Sequence, residues 1–161
     1  MTGNLIIYFS LLIAMVLSLV HVPLTIPAEL GYVRPDWVAI VLLYWIIALP
    51  ERVGLVTAWI TGLIMDVLMG SLIGQHALSY IIIVYITFNL YQRLRMFSVW
   101  QQAGVVFVIL SLNHIVWRWI ESFSGLSDWS FWYLLPALTG AFLWPWVFLL
   151  LRSVRRRFVA T

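Results

Sequence analysis

The chain has 161 residues, of which 64% are hydrophobic and only 9% charged, with a formal net charge of +3. A soluble domain is nearer a quarter charged and must cover its surface with polar groups, so this composition excludes an ordinary water-soluble globule and points to lipid as the solvent. All nine basic residues are arginines on a nearly uncharged chain, which gives no reading as a nucleic-acid binder, and the lack of cysteine excludes disulfides, cysteine-zinc sites and thiol catalysis.

A membrane-crossing helix needs about 20 mainly apolar residues. Six such segments are expected, at 5–22, 36–49, 53–69, 77–91, 101–120 and 131–151, which makes the chain an all-α polytopic bundle. Residues 1–161 then form one integral membrane domain with no soluble domain. The first run follows no basic residue and precedes no small-x-small cleavage site, so it reads as a span and not as a signal peptide. Arg34, Pro35 and Asp36 mark the start of the second span. Proline suits a first helical turn, and a carboxylate suits the positive end of a helix. The turn at 50–52 is so brief that spans two and three must form a tight hairpin.

In span three, Gly54, Ala58, Gly62, Asp66, Gly70 and Gly74 recur every four residues. Small residues at that spacing line one flank of a helix and let another backbone approach closely. Such a row is either a groove for a partner protein's helix (Gly54, Ala58, Gly62, Gly70) or a packing seam inside the bundle. Asp66 falls about 20 Å along this helix, in the outer third of the hydrocarbon. A carboxylate there is costly unless paired. In span five, Asn113 and His114 fall at a similar depth, with Arg118 one turn beyond on the flank of His114. Asp66 is therefore expected to bond His114 or Arg118 and pin span three to span five; a proton relay or ligand site is the alternative. In span six, Pro145 between Trp144 and Trp146 should kink the helix or leave a carbonyl unsatisfied. Arg152, Arg155, Arg156 and Arg157 form a basic patch beyond it, suited to anionic lipid, an acidic partner or simple anchoring.

With both termini in the cytoplasm, seven arginines lie inside and only Arg34 and Arg118 outside, as the positive-inside rule requires. Trp37, Trp117, Trp119, Trp129 and Trp132 then fall near the outer interface and Trp100 near the inner one, the depth that indole prefers. The outer segment 121–130 carries Glu121 and Asp128 and no basic residue. The chain contains no HExxH, GxSxG or P-loop motif and no carboxylate pair, and nothing around Ser10, Ser18 or Ser111 marks a nucleophile.

The stretch Arg34-Pro35-Asp36-Trp37, then Leu43-Tyr44-Trp45 and Ala48-Leu49-Pro50-x-Arg52, resembles the MreD family of rod shape-determining proteins of Gram-negative bacteria. The likeness continues through Gly62-Leu63-Ile64-Met65-Asp66-Val67, Gly70 and Gly74, then Trp100-Gln101-Gln102, and closes with Leu143-Trp144-Pro145-Trp146-Val147-Phe148-Leu149-Leu150. It implies a non-enzymatic inner-membrane component of the cell-elongation machinery, without cofactor or metal. Such a component works with MreC, the MreB filament, the RodA glycosyltransferase and its penicillin-binding transpeptidase. The family's fold in turn resembles the membrane-embedded substrate-binding subunits of energy-coupling-factor (ECF) transporters. Two functions follow. One is a scaffold that binds MreC by helix-to-helix contact. The other is a small-molecule-binding subunit of a transporter, with an outer pocket lined by Asp66, His76, Asn113, His114 and tryptophans.

Overall fold

The computed structural model describes residues 2–20, 33–125 and 130–158. The expected end of span one, most of the segment 23–35, and the expected placements of Asp128 and Trp129 lie outside the described residues. Within them run six α-helices: α1 (Thr2–Leu19), α2 (Trp37–Ala48), α3 (Leu55–Met69), α4 (Gln75–Met96), α5 (Val99–Phe123) and α6 (Leu135–Phe158). A 3-10 turn over Phe131–Leu134 leads into α6.

The centre of the bundle is α2. Its sequence offers no polar face, and a helix apolar on every side has to be surrounded. All ten residues from Val38 to Ile47 are buried, against α1, α4 and α6. With 12 residues the helix is only about 18 Å long, well short of the hydrocarbon thickness. Both of its ends therefore lie where lipid would leave backbone groups unpaired, and side chains complete them. Asp36 caps the start, its Oδ1 accepting the Ala39 N–H at 3.1 Å. Arg95 of α4 completes the far end, Nε donating to the Ile47 carbonyl at 2.7 Å and Nη2 to that of Ala48 at 2.9 Å. On its flank, Trp45 Nε1 donates to Ser10 Oγ of α1 at 2.8 Å.

Helix α4 starts two residues earlier than expected and ends at Met96, because Gln92, Arg93 and Arg95 are good helix formers that continue the backbone past the apolar run. Helix α5 opens with a capping box between Ser98 and Gln101. Helix α6 runs on through Pro145 without ending, and next to it the buried Trp144 donates from Nε1 to Gln102 Oε1 of α5 at 3.3 Å. That contact falls where the proline removes a backbone donor from α6.

The distribution of polarity is inverted relative to a soluble protein. Val56, Val67, Phe142 and Leu150 are exposed, while Asp66, Gln75, Gln102 and Asn113 are buried. So large an apolar exterior marks contact with lipid. Val99–Phe123 and Phe131–Phe158 are each long and apolar enough to cross a membrane, and α1, α2 and α3 are shorter apolar helices. The protein is an all-α, membrane-embedded bundle.

The middle of the small-residue row of α3, Ala58, Gly62 and Asp66, faces the inside of this bundle. A Cβ on Gly62 would collide with the backbone of Ala77, reaching within 2.5 Å of its nitrogen and 2.8 Å of the His76 carbonyl carbon. Ala58 is fully buried. Gly54 and Gly70 have open space where a Cβ would go. The row is thus no continuous groove for a partner helix. At Gly62 it is filled by α4 of the same chain, which the short connection at 70–74 folds back against α3.

Candidate functional site

Asp36, Asp66, Gln75, His76 and Asn113 gather at one end of the bundle, around the start of α2 and the loop joining α3 to α4. That loop turns twice through left-handed glycines, Gly70 at φ 65° and Gly74 at φ 98°, which folds the start of α4 back over the end of α3. Asp66 lies beneath the first turn of α4. Its Oδ2 accepts the Gly74 N–H at 2.7 Å, and its Oδ1 accepts the His76 N–H at 2.8 Å and the Ser71 hydroxyl at 2.9 Å. His76 Nδ1 is also 2.8 Å from Oδ1, so Nδ1 carries the proton when the carboxylate is ionised. Asp66 therefore acts as an N-terminal cap supplied from another helix, satisfying orphan donors of α4 where no water would.

This differs from the expected pairing of Asp66 with His114 or Arg118. The carboxylate is occupied by donors from its own hairpin, the nearest of them five residues along the chain. Arg118 turns instead to Glu121, Nη1 to Oε2 at 2.6 Å, and to Tyr133, whose ring centre lies 3.6 Å from the guanidinium carbon and whose hydroxyl it also contacts. Helix α5 is pinned to the start of α2. Asn113 Nδ2 donates to Asp36 Oδ2 at 3.2 Å, and the hydroxyl of the buried Tyr80 donates to Asp36 Oδ1 at 3.0 Å. Asp36 thus caps its own helix and ties α4 and α5 to it. Sequence reasoning gave Asp36 only the cap; the further signal was a carboxylate at the edge of the segment with no polar face, where the surrounding helices must supply its remaining donors.

Beside this network lies a cavity of about 340 Å³, with Arg34, Asp36, His76, Asn113, His114 and Trp117 in its wall. Four buried polar atoms on the wall meet no hydrogen-bond partner among the described residues: Ser18 Oγ, Asn113 Oδ1, His114 Nε2 and Trp117 Nε1. A second cavity of about 230 Å³ adjoins it, sharing His114, Arg118 and Tyr133 and otherwise lined mainly by Ile115, Phe131 and Leu134. Asn113, His114 and Arg118 stand around the cavity, Asn113 bonded to Asp36, with Asp66 behind His76. The basic patch is at the other end of the molecule, in the last turn of α6, where Arg156 and Arg157 are exposed and Arg152 and Arg155 half-buried. Among the described residues, no three histidines or carboxylates come close enough to hold a metal ion.

The sequence profile described as rod shape-determining protein MreD matches residues 1–154. The chain belongs to the MreD family. It is 33% identical over 151 residues to the rod shape-determining protein MreD of Haemophilus influenzae, an alignment covering 93% of each chain. No solved structure matches it. Of the residues that carry the resemblance noted above, Asp36 lies on the tie between helices, Gly62 and Asp66 on the α3–α4 seam and Trp144 on the contact beside Pro145, while Val67, Trp100, Trp146 and Leu150 are exposed.

Proposed function

We propose that the chain is a non-catalytic scaffold of the bacterial cell-elongation (rod) complex, crossing the inner membrane six times with both termini in the cytoplasm. The observation that carries this reading is the family match over nearly the whole chain. The topology is supported by the arginine distribution, seven on one side against two on the other. That α2 has only 12 residues does not count against a crossing, because Asp36 and Arg95 satisfy its ends inside the bundle. In this reading residues 1–161 are one integral membrane domain, with a fold like that of the substrate-binding subunits of ECF transporters.

The proposed direct partner is MreC, with MreB, RodA and its penicillin-binding transpeptidase as further members of the complex. The connections from α2 through to α5 are short, so recognition in that part of the chain rests on helix faces. Since Gly62 is occupied by α4, the faces left for a partner's span are those turned to lipid, such as Val56 and Val67 of α3. The arginines at the end of α6 suit anionic lipid or an acidic cytoplasmic partner. The test is a detergent pull-down of the tagged chain with identification of both proteins and small molecules. Stoichiometric recovery of MreC supports the scaffold. Recovery of an ATPase module with a bound metabolite, and no shape protein, would overturn it in favour of a transporter subunit.

A further inference from the structure

We propose that the two adjoining cavities form one binding site for a single zwitterionic lipid, its head in the polar cavity and the beginning of its chains in the apolar one. The inference needs only that the bundle lies in a membrane and does not rest on the scaffold role.

Four unpartnered polar atoms on one cavity wall are the first observation. Native proteins leave few buried polar atoms unpaired, and inside a membrane the alternative partners are scarce. Asn113 is 3% exposed, and with its amide nitrogen committed to Asp36, its Oδ1 is an acceptor facing no donor. Trp117 Nε1 is a donor facing no acceptor. The occupant must therefore both donate and accept. Formal charges of both signs stand around the same space, Arg34 and the Glu121-paired Arg118 against Asp36. A purely anionic head would meet Asp36, and a purely cationic one would meet the arginines. An ammonium directed to Asn113 and Asp36, with a phosphate directed to Trp117 and the arginines, satisfies both. The volume of about 340 Å³ holds roughly eleven waters' worth of matter, the size of a headgroup and not of a whole lipid.

The apolar cavity supplies the rest. It meets the polar one along His114, Arg118 and Tyr133, and its other walls include Ile115 and Phe131, which are 44% and 94% exposed on the lipid-facing surface. An occupant seated across that boundary is polar at one end and apolar at the other. The site lies at the end of α5 opposite the arginine-rich terminus of α6, so the lipid would come from the leaflet away from that terminus.

The test is native mass spectrometry of the full-length, delipidated chain titrated with dioleoylphosphatidylethanolamine. Dioleoylphosphatidylglycerol serves as an anionic comparison and O-phosphoethanolamine as a head without chains. One phosphatidylethanolamine should be retained per chain, about tenfold more firmly than phosphatidylglycerol. Trp117→Phe removes only the indole N–H and preserves a ring beside His76, so the fold should persist while retention falls about tenfold. Leu134→Trp, which fills the apolar cavity, should reduce retention as much, and Val67→Trp on the outer face of α3 should leave it unchanged. Equal retention by wild type and Trp117→Phe, or equal retention of the two lipids, would overturn the proposal. So would O-phosphoethanolamine binding as firmly as the intact lipid, which would assign the site to a soluble zwitterion.

Discussion

The α3–α4 hairpin and the cavity wall beside the start of α2 lie at the same end of the bundle, and each is built around a carboxylate. They treat polarity in opposite ways. Asp66 has donors on both oxygens, and the glycine above it brings two backbones into contact. Across the cavity, Asp36 is also satisfied, but Ser18, Asn113, His114 and Trp117 each hold a polar atom with no partner among the described residues. In a membrane such atoms gain nothing from nearby water. The contrast separates a region selected for a fixed shape from one that keeps room and unspent hydrogen bonds.

The comparison breaks first, and hardest, at Gly62. Gly62→Leu forces side-chain atoms into the Ala77 backbone, which cannot move aside as a flexible side chain could. The expected cost is about 3 kcal/mol or more, enough to remove most folded protein. The yield of monodisperse chain after detergent extraction measures it. Gly54→Leu, at the extended N-cap of α3 where a Cβ would meet open space, should extract normally. If Gly62→Leu extracts as well as wild type and fails only in binding MreC, the row faces a partner after all.

Asp66→Ala comes next. It strands the Gly74 and His76 N–H groups together with the Ser71 hydroxyl, and stranded buried donors cost about 1–3 kcal/mol each, with overlap. A loss of about 3 kcal/mol, read from unfolding in a denaturing detergent, is expected. Asp66→Asn keeps one acceptor oxygen and should lose about half as much. Equal losses would mean that the negative charge matters and not the capping.

These two sites also show what was readable in the sequence. The apolar runs fixed the number and order of helices, because length and hydropathy are local properties. The seam at Gly62 was one of two readings, and a four-residue spacing alone cannot say which helix fills it. Depth along the helix put Asp66, Asn113 and His114 at a similar level. It carries no information about rotation, and rotation decided that Asp66 faces α4 while Asn113 faces Asp36. The extension of α4 to Met96 escaped for a different reason. Its last turns contain Arg93 and Arg95, and a search for apolar runs stops before a helix that continues beyond them.

Arg95 gives an intermediate effect. Among the described residues it alone supplies side-chain donors to the Ile47 and Ala48 carbonyls at the end of α2, and charge-assisted bonds of this kind contribute about 1.5–3 kcal/mol. Arg95→Leu should cost about 2 kcal/mol, and amide hydrogen exchange should rise first in the last turn of α2. Lysine at this position should recover only part of the loss, since one ammonium cannot reproduce two donors held in a plane.

Ser18→Ala should have the smallest effect and the most informative sign. Its hydroxyl is buried against the polar cavity with no partner, so removing it discards a desolvated group and breaks no bond within the protein. Arg34 reaches the Ser18 carbonyl, not the hydroxyl, so that contact survives. In delipidated protein the change should be neutral or stabilising by about 0.5–1 kcal/mol. Adding phosphatidylethanolamine should then stabilise the wild type more than the variant, reversing the order of their melting temperatures. That crossing would tie the unpaired atoms to an occupant. A Ser18→Ala chain that loses about 1 kcal/mol without lipid would instead show that the hydroxyl is already bonded, and the wall around the cavity would have to be regarded as part of the same rigid packing as the hairpin.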